Sequence, residues 1–112
     1  MRMDPRLIFV IEFIDANLSN KITSSEAARR INLSHSYLCE IFRREMGVKF
    51  SVYVTKAKME RAQVLLKSSF LSIKEISYAV GFNQESNFDR SFKKYAGLSP
   101  SAYRKQFAGK GI

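Results

Sequence analysis

The sequence predicts an all-α fold in which a long linker helix joins two helix-turn-helix subdomains. Apolar residues recur at helical spacing along most of the chain, with capping residues before these stretches and turn residues after them. The same order of cap, turn, core and stop signals occurs twice, with one long helical pattern in between. We therefore divide the chain into a first subdomain (1–50), a linker helix (51–68), a second subdomain (69–107) and a flexible tail (108–112).

Three helices are predicted in the first subdomain. Asp4-Pro5 suits the start of a helix, which carries the apolar stripe Leu7, Val10, Ile11, Ile14 and Leu18. Thr23 and Glu26 fit a capping box that opens a short second helix, and Asn32 suits the turn after it. The third helix begins at the cap Ser34 and ends at Gly47, with the inward residues Leu38, Ile41 and Phe42.

The second subdomain follows the same plan. Its first helix has an apolar face and ends at Gly81, where a turn can need a positive φ. Asn83 is the predicted N-cap of the middle helix, Gly97 ends it, and Ser99-Pro100 opens the last helix. The middle helix separates aromatic residues on one side from polar residues on the other, namely Phe88, Phe92 and Tyr95 against Glu85, Ser86, Asp89, Arg90 and Lys93.

The two subdomains form an internal repeat. Residues of the first match residues of the second at an offset of 49 before the second turn and of 50 after it, so that Leu38, Phe42 and Gly47 correspond to Phe88, Phe92 and Gly97. The linker helix between them would span about 26 Å. Successive major-groove faces of DNA lie about 34 Å apart. A rigid connector of this length therefore suits two helices, one from each subdomain, that contact DNA one turn of the double helix apart.

Charge and composition limit the possible partners. The 112 residues carry a net charge of +9, of which residues 1–48 contribute +1 and residues 49–112 contribute +8. A polyanion such as nucleic acid would thus be attracted mainly by the second half of the chain. The single cysteine allows no internal disulfide, and the apolar run 7–11 is too short to span a membrane. We expect no membrane partner, because the basic residues are spread over several short helices.

Two stretches carry a family resemblance: AARRINLSHSYLCEIFRREMG and ISYAVGFNQESNFDRSFKKYAGLSPSAYR. With these motifs, the chain resembles the DNA-binding domain of the AraC/XylS family of bacterial transcription regulators from about Leu7 to Arg104. The resemblance implies seven helices, of which the third and sixth enter neighbouring major grooves of double-stranded DNA. Carried over by position, the base-reading residues would be His35, Ser36, Cys39 and Glu40 in the third helix and Glu85, Ser86, Asp89 and Arg90 in the sixth. The sequence departs from the family's usual pattern at Glu40, where Arg is frequent, and at Ser77, where Ala is usual.

Arg90 is the strongest candidate base reader, because arginine can pair bidentately with guanine O6 and N7. The alternative is a solvated Arg90 paired with Glu85 or Asp89. These two acids would accept from cytosine N4, hold the Arg90 side chain in one rotamer, or lie outside the groove. Glu40 would read cytosine or indicate that the first subdomain docks loosely. Seven other cations are candidates for phosphate contacts, which position a protein without reading sequence: Arg43, Arg44, Lys49, Lys93, Lys94, Arg104 and Lys105.

His35 and Cys39 lie one helical turn apart, a spacing that suits two metal ligands or a Cys–His nucleophile pair. Two ligands do not make a metal site, and the sequence holds no other His or Cys. We therefore predict no metal, no cofactor and no enzymatic activity. The aromatic residues are expected in the core rather than as platforms for base stacking: Phe42, Tyr53, Phe82, Phe88, Phe92, Tyr95 and Tyr103.

These observations predict a sequence-specific regulator of transcription, with activation favoured over repression, in the bacterial cytoplasm at the nucleoid. The resemblance suggests RNA polymerase as a protein partner. Phe9 and Phe13 lie off the first apolar stripe, where they either broaden a buried face or contact an effector-binding or dimerisation domain absent from this chain. The alternative function is a protein-interaction module of the same fold that binds DNA weakly. It is motivated by the acidic residues on the exposed faces of the third and sixth helices, Glu40, Glu85 and Asp89.

Overall fold

The computed structural model describes residues 3–108, and within that range all regular structure is helical. Seven helices follow one another: α1 (Pro5–Ala16), α2 (Ser24–Arg30), α3 (His35–Met46), α4 (Phe50–Ser68), α5 (Ile73–Ala79), α6 (Glu85–Ala96) and α7 (Pro100–Phe107). The all-α prediction is thus confirmed. Residues 109–112 of the predicted tail lie outside the described residues.

Short polar residues fix where most of these helices begin. The side chains of Asp4, Thr23, Ser34, Ser72 and Ser99 each accept a hydrogen bond from a backbone N–H in the first turn of the helix that follows. The prediction for α6 was wrong in this respect. Its N-cap is Gln84 rather than Asn83, and no side chain caps it.

The capping-box prediction was also placed at the wrong helix. Thr23 caps α2 as expected, but the Glu26 carboxylate pairs with the guanidinium groups of Arg29 at 2.7 Å and Arg30 at 3.5 Å. The reciprocal pair forms at α5, where Ser72 Oγ accepts from Glu75 N and Glu75 Oε1 accepts from Ser72 N. The hydrogen bond from Ser72 N, with a further contribution from the Ser72 hydroxyl, lowers the pKa of the Glu75 carboxyl below its usual value.

The chain divides into two compact units between Ala57 and Lys58, within α4. The core of the first unit lies between α1, α2, α3 and the first half of α4. It is formed by the buried side chains of Leu7, Val10, Ile14, Ala27, Ala28, Leu38, Ile41, Phe42, Phe50 and Val54. In this core the Phe42 ring packs edge-on against both Phe50 and Tyr53. The tight turn between α2 and α3 has Asn32 at φ +55°, as its position in the sequence predicts.

The second unit repeats this arrangement with different side chains. Its core is formed by Met59, Ala62, Leu66, Ile76, Val80, Phe88, Phe92 and Tyr103, and aromatic rings from Phe82 to Phe107 pack in sequence through it. Ser77 is fully buried, and its hydroxyl donates to the carbonyl of Lys74 at 2.7 Å. The polar atom at this position therefore has a partner. Tyr95 is the exception to the predicted aromatic core, since 40% of its surface is exposed.

Two basic side chains of the second unit bind the ends of helices. The ammonium of Lys58 donates to the carbonyl of Val80, the C-cap of α5, at 3.1 Å, and its partial burial lowers its pKa. The guanidinium of Arg104 donates to three carbonyls at the end of α4: Leu66 at 3.1 Å, Leu65 at 3.4 Å and Ser69 at 3.3 Å. These carbonyls lie where an α-helix runs out of its own donors.

Candidate nucleic-acid interface

Helix α3 presents a polar face opposite the residues that it buries. Leu38, Ile41 and Phe42 lie in the core, whereas His35, Ser36 and Glu40 are exposed and Cys39 is half-buried. The sequence thus correctly predicted which side of this helix is available to a partner.

His35 links the start of α3 to the start of α2. Its Nε2 lies 2.6 Å from Ser24 Oγ and 3.6 Å from Cys39 Sγ. Within residues 3–108 no group of three or more His, Cys, Asp and Glu side chains is arranged to hold a metal ion. The contacts of His35 thus join polar side chains of α2 and α3 on this face.

A cleft of about 470 Å³ adjoins this face in the first unit. It lies between the start of α2, the outer side of α3 and the first turn of α4, and is lined by Ile22, Thr23, Ser24, His35, Cys39, Arg43, Lys49, Phe50 and Ser51. The lining contains two cations and several hydroxyl groups but no carboxylate. Such a cleft favours an anion, and its hydroxyls can donate hydrogen bonds to phosphate oxygens.

Helix α6 presents the corresponding face in the second unit. Phe88 and Phe92 are fully buried, Ser86 and Arg90 are exposed, and Glu85 and Asp89 are half-buried. The guanidinium of Arg90 does not bind either acid. Its Nη2 donates instead to Asn87 Oδ1 at 2.6 Å, one turn earlier on the same helix.

Asp89 has one carboxylate oxygen in an unusual position. Its Oδ1 is buried and has no hydrogen-bond partner among the described residues. Buried polar atoms in proteins nearly always have a partner, because leaving one unpaired costs about 1–3 kcal/mol. A hydrogen-bond donor on a bound partner would remove that cost once the Asp89 side chain turns to meet it.

Pairs of cations lie at corresponding places in the two units. Arg43 and Arg44 occupy the last turn of α3, and Lys93 and Lys94 occupy the last turn of α6. All four are exposed, as are Lys49 and Lys105. Cations at these places also interact favourably with the C-terminal ends of their own helices. Their position is thus compatible with phosphate contact and is at the same time explained by helix stability.

Arg104 differs from the other predicted phosphate contacts. Its guanidinium is half-buried and bound to the backbone at the end of α4. Three of its five N–H donors are engaged in hydrogen bonds to carbonyls, which gives Arg104 a structural role, and its predicted contact with phosphate stays a prediction. No helix among the described residues is long and apolar enough to cross a membrane.

Comparison with known proteins identifies the family. The family model described as a helix-turn-helix domain matches residues 27–106. The chain belongs to the AraC/XylS family. Over 97 residues it is 38% identical to the Msm operon regulatory protein of Streptococcus mutans, covering 87% of this chain and 35% of that protein. It is 32% identical over 96 residues to the melibiose operon regulatory protein of Escherichia coli, covering 86% and 32% of the two chains. The chain thus spans about a third of the length of these relatives.

Solved structures give the same result for the fold. The C-terminal domain of AraT, a response regulator from Geobacillus stearothermophilus, superposes with a TM-score of 0.93 at 32% identity, covering 100% of this chain and 93% of that one. The DNA-binding domain of AdpA, solved in complex with a target DNA, superposes with a TM-score of 0.86 at 25% identity, covering 94% of each chain. This AraC/XylS chain therefore has the fold of the DNA-binding domains of transcription regulators.

Sequence reasoning missed several residues around the two faces of this AraC-type domain. Thr23, Ser24 and Ser51 line the cleft of the first unit, and Asn87 binds Arg90 in the second. Thr23 was recognised only as a helix cap. The serines and Asn87 gave no signal, because exposed short polar residues are common on any helical surface.

Proposed function

We propose that this chain binds double-stranded DNA sequence-specifically and reads two adjacent major-groove segments with α3 and α6. The supporting observation is that both helices bury an apolar face in a compact unit and leave a polar face exposed after a tight turn. The likeness to the AdpA domain, which was solved with DNA, supports the same interpretation.

Within this proposal the base-reading residues remain those predicted: His35, Ser36, Cys39 and Glu40 in α3, and Glu85, Ser86, Asp89 and Arg90 in α6. Arg90 reads guanine, because its exposed guanidinium keeps unused donors beside the one that binds Asn87. Asp89 accepts from an exocyclic amine such as cytosine N4, which would supply a donor to its unpaired carboxylate.

The phosphate contacts are Arg43, Arg44, Lys49, Lys93, Lys94 and Lys105. In the first unit the cleft beside α3 receives a backbone phosphate between Arg43 and Lys49, with Ser24 and Ser51 as additional donors. Helix α4 is one continuous helix of 19 residues, about 28 Å long, and supplies core residues to both units.

At the level of the cell we propose a transcription activator that works with RNA polymerase at the nucleoid, in the cytoplasm. The relatives that are named as operon regulatory proteins support a regulatory role. Because the chain matches only about a third of those proteins, an effector-binding or dimerisation domain beside this one is part of the proposal. On α1, Phe9 has 49% of its surface exposed, whereas Phe13 packs against the core under the guanidinium of Arg30.

Titration of fluorescent duplexes tests the proposal. A duplex selected for tight binding should be preferred over a scrambled duplex of the same length, and Arg90→Ala should reduce that preference. A matched Lys94→Ala variant should weaken binding to both duplexes about equally, because phosphate contacts carry no sequence information. Equal affinity of the unaltered protein for both duplexes would contradict sequence-specific reading.

The acids on the reading faces favour one second candidate. Glu40, Glu85 and Asp89 would oppose a phosphate backbone, which suits a protein-interaction module with weak DNA binding. Substitution of Glu40 by Gln separates the two functions. Non-specific tightening on every duplex would favour the interaction module, whereas loss of preference at one base pair would favour base reading.

A further inference from the structure

Asn87 holds the guanidinium of Arg90 on the exposed side of α6. The two side chains are three residues apart, a spacing at which neighbours on a helix meet, and Arg90 Nη2 donates to Asn87 Oδ1 at 2.6 Å. Both residues are exposed. The ion pairs found among the described residues involve Arg6, Arg29 and Arg30 instead, so Arg90 keeps its charge uncompensated.

A neutral acceptor has consequences that an acidic partner would not have. An exposed arginine samples many rotamers, and ordering it on binding costs entropy. The amide oxygen of Asn87 restricts those rotamers before DNA arrives, yet it does not neutralise the positive charge that attracts the partner. Because a guanidinium has five donors, one hydrogen bond at Nη2 leaves donors for a bidentate contact.

We propose that Asn87 is a positioning residue that orients Arg90 for guanine and thereby sharpens the selection of one base pair. The inference rests on the proposed function, since it requires that α6 reads DNA. No such pair is expected in the first unit, because the repeat places Tyr37 and Glu40 at the corresponding positions of α3. The side chain of Tyr37 lies beside Arg6 instead, with the guanidinium carbon 5.9 Å from the ring centroid. The effect therefore belongs to the base pairs that α6 contacts.

The test uses five forms of the chain: unaltered, Asn87→Ala, Asn87→Asp, Arg90→Ala and the double variant of Asn87→Ala with Arg90→Ala. Each is titrated with a selected duplex and with duplexes in which single guanines are replaced by adenine. One guanine-to-adenine replacement should lower the affinity of the unaltered chain but not that of Arg90→Ala. That guanine is the one that Arg90 reads. Circular dichroism confirms that each variant is folded.

Asn87→Ala should lower the preference for that guanine about fivefold, the factor that one net hydrogen bond contributes. Its affinity for a non-specific duplex and its salt dependence should not change, because the charge of Arg90 remains. In the Arg90→Ala background, Asn87→Ala should have no further effect on base preference. Asn87→Asp should weaken binding to every duplex, because an aspartate at this position would pair with Arg90 and offset its charge.

Three results separate the possible failures. If Arg90→Ala removes the guanine preference and Asn87→Ala leaves it intact, the positioning role is wrong but reading by α6 stands. If the effect of Asn87→Ala persists without Arg90, Asn87 contacts the DNA itself, as asparagine does with adenine, and positioning is again wrong. If Arg90→Ala changes no base preference, the proposed reading by Arg90 fails, and the role of Asn87 fails with it.

Discussion

Replacing Arg104 with methionine should destabilise the second unit, although the sequence marks this residue only as one more surface cation. Methionine keeps an unbranched apolar stem of similar length but removes the three hydrogen bonds to the carbonyls of Leu65, Leu66 and Ser69. Leu65 loses least, because its carbonyl also accepts from the backbone and hydroxyl of Ser69. Most of the cost therefore falls on the carbonyl of Leu66.

The geometry sets the size of the effect. A hydrogen bond with one charged partner contributes about 1.5–3 kcal/mol to stability, and the 3.1 Å bond to Leu66 has ordinary length. The bonds of 3.3 and 3.4 Å to Ser69 and Leu65 are longer and add less. Because Arg104 is only half-buried, water will partly replace what is lost. We expect the free energy of unfolding to fall by about 2 kcal/mol for Arg104→Met.

Urea unfolding followed by circular dichroism measures this change, with Lys105→Met as the matched control. Lys105 is an exposed neighbour on α7, so its loss should change stability by less than about 0.5 kcal/mol. An Arg104→Met variant as stable as that control would refute the structural role.

The salt dependence of DNA binding provides a second test of Arg104. If Arg104 contacted a phosphate, its removal would reduce the slope of log K against log salt by about 0.9; we expect no change in slope for folded protein.

Four further substitutions test other features of the structure and of the proposed interface. Gly97→Ala should destabilise the second unit by about 1–2 kcal/mol in urea unfolding, because alanine resists the φ of +82° although open space surrounds the new Cβ; an unchanged midpoint would contradict this. Glu75→Gln should make stability fall less steeply in acid. The pKa of Glu75 in the folded protein lies below the ordinary 4.5, so the hydrogen bond from Ser72 N stabilises the fold above pH 4.5 and this stabilisation is lost as the pH falls below it. An equally steep decline of stability in the variant would exclude this role. Arg43→Ala and Lys93→Ala should each reduce the salt slope of DNA binding by about 0.9, and a slope that either variant leaves unchanged would remove that residue from the phosphate contacts.

Local signals in the sequence predicted most of the helices, because each signal acts over a few residues. Ser34 and Ser99 cap their helices, and Gly47 and Gly97 end theirs in the left-handed conformation. These features depend on backbone geometry within one turn, which composition and spacing reveal.

The errors occurred where a residue had several possible partners. Glu26 could have closed a capping box but pairs with Arg29 and Arg30, and a sequence pattern cannot rank those contacts. Arg104 contacts residues 35 to 39 positions away, a distance at which only the tertiary fold decides the partner. Tyr95 follows the helical spacing of the core, yet it is 40% exposed because it lies in the last turn of α6.

The candidate site was predictable in outline but not in detail. Helical periodicity alone predicted that His35, Ser36, Glu40 and Arg90 are exposed, because buried positions recur every three to four residues along a surface helix. The contact between Arg90 and Asn87 was missed because the charges of Glu85 and Asp89 were given more weight than helical spacing. Asn87 lies three residues before Arg90, where neighbours on a helix meet, whereas Glu85 lies five residues away and Asp89 is adjacent in sequence. Geometry decided between these acceptors, and charge pattern alone does not.

Selection of bound duplexes from a random-sequence pool, using the unaltered chain, shows whether α3 and α6 both read DNA. We predict recovery of two short motifs whose centres lie about one helical turn, or 10 to 10.5 base pairs, apart. Recovery of one motif alone would mean that one unit reads and the other only docks. A pool without enrichment, bound with an affinity that simply falls as salt rises, would contradict sequence-specific reading by α3 and α6.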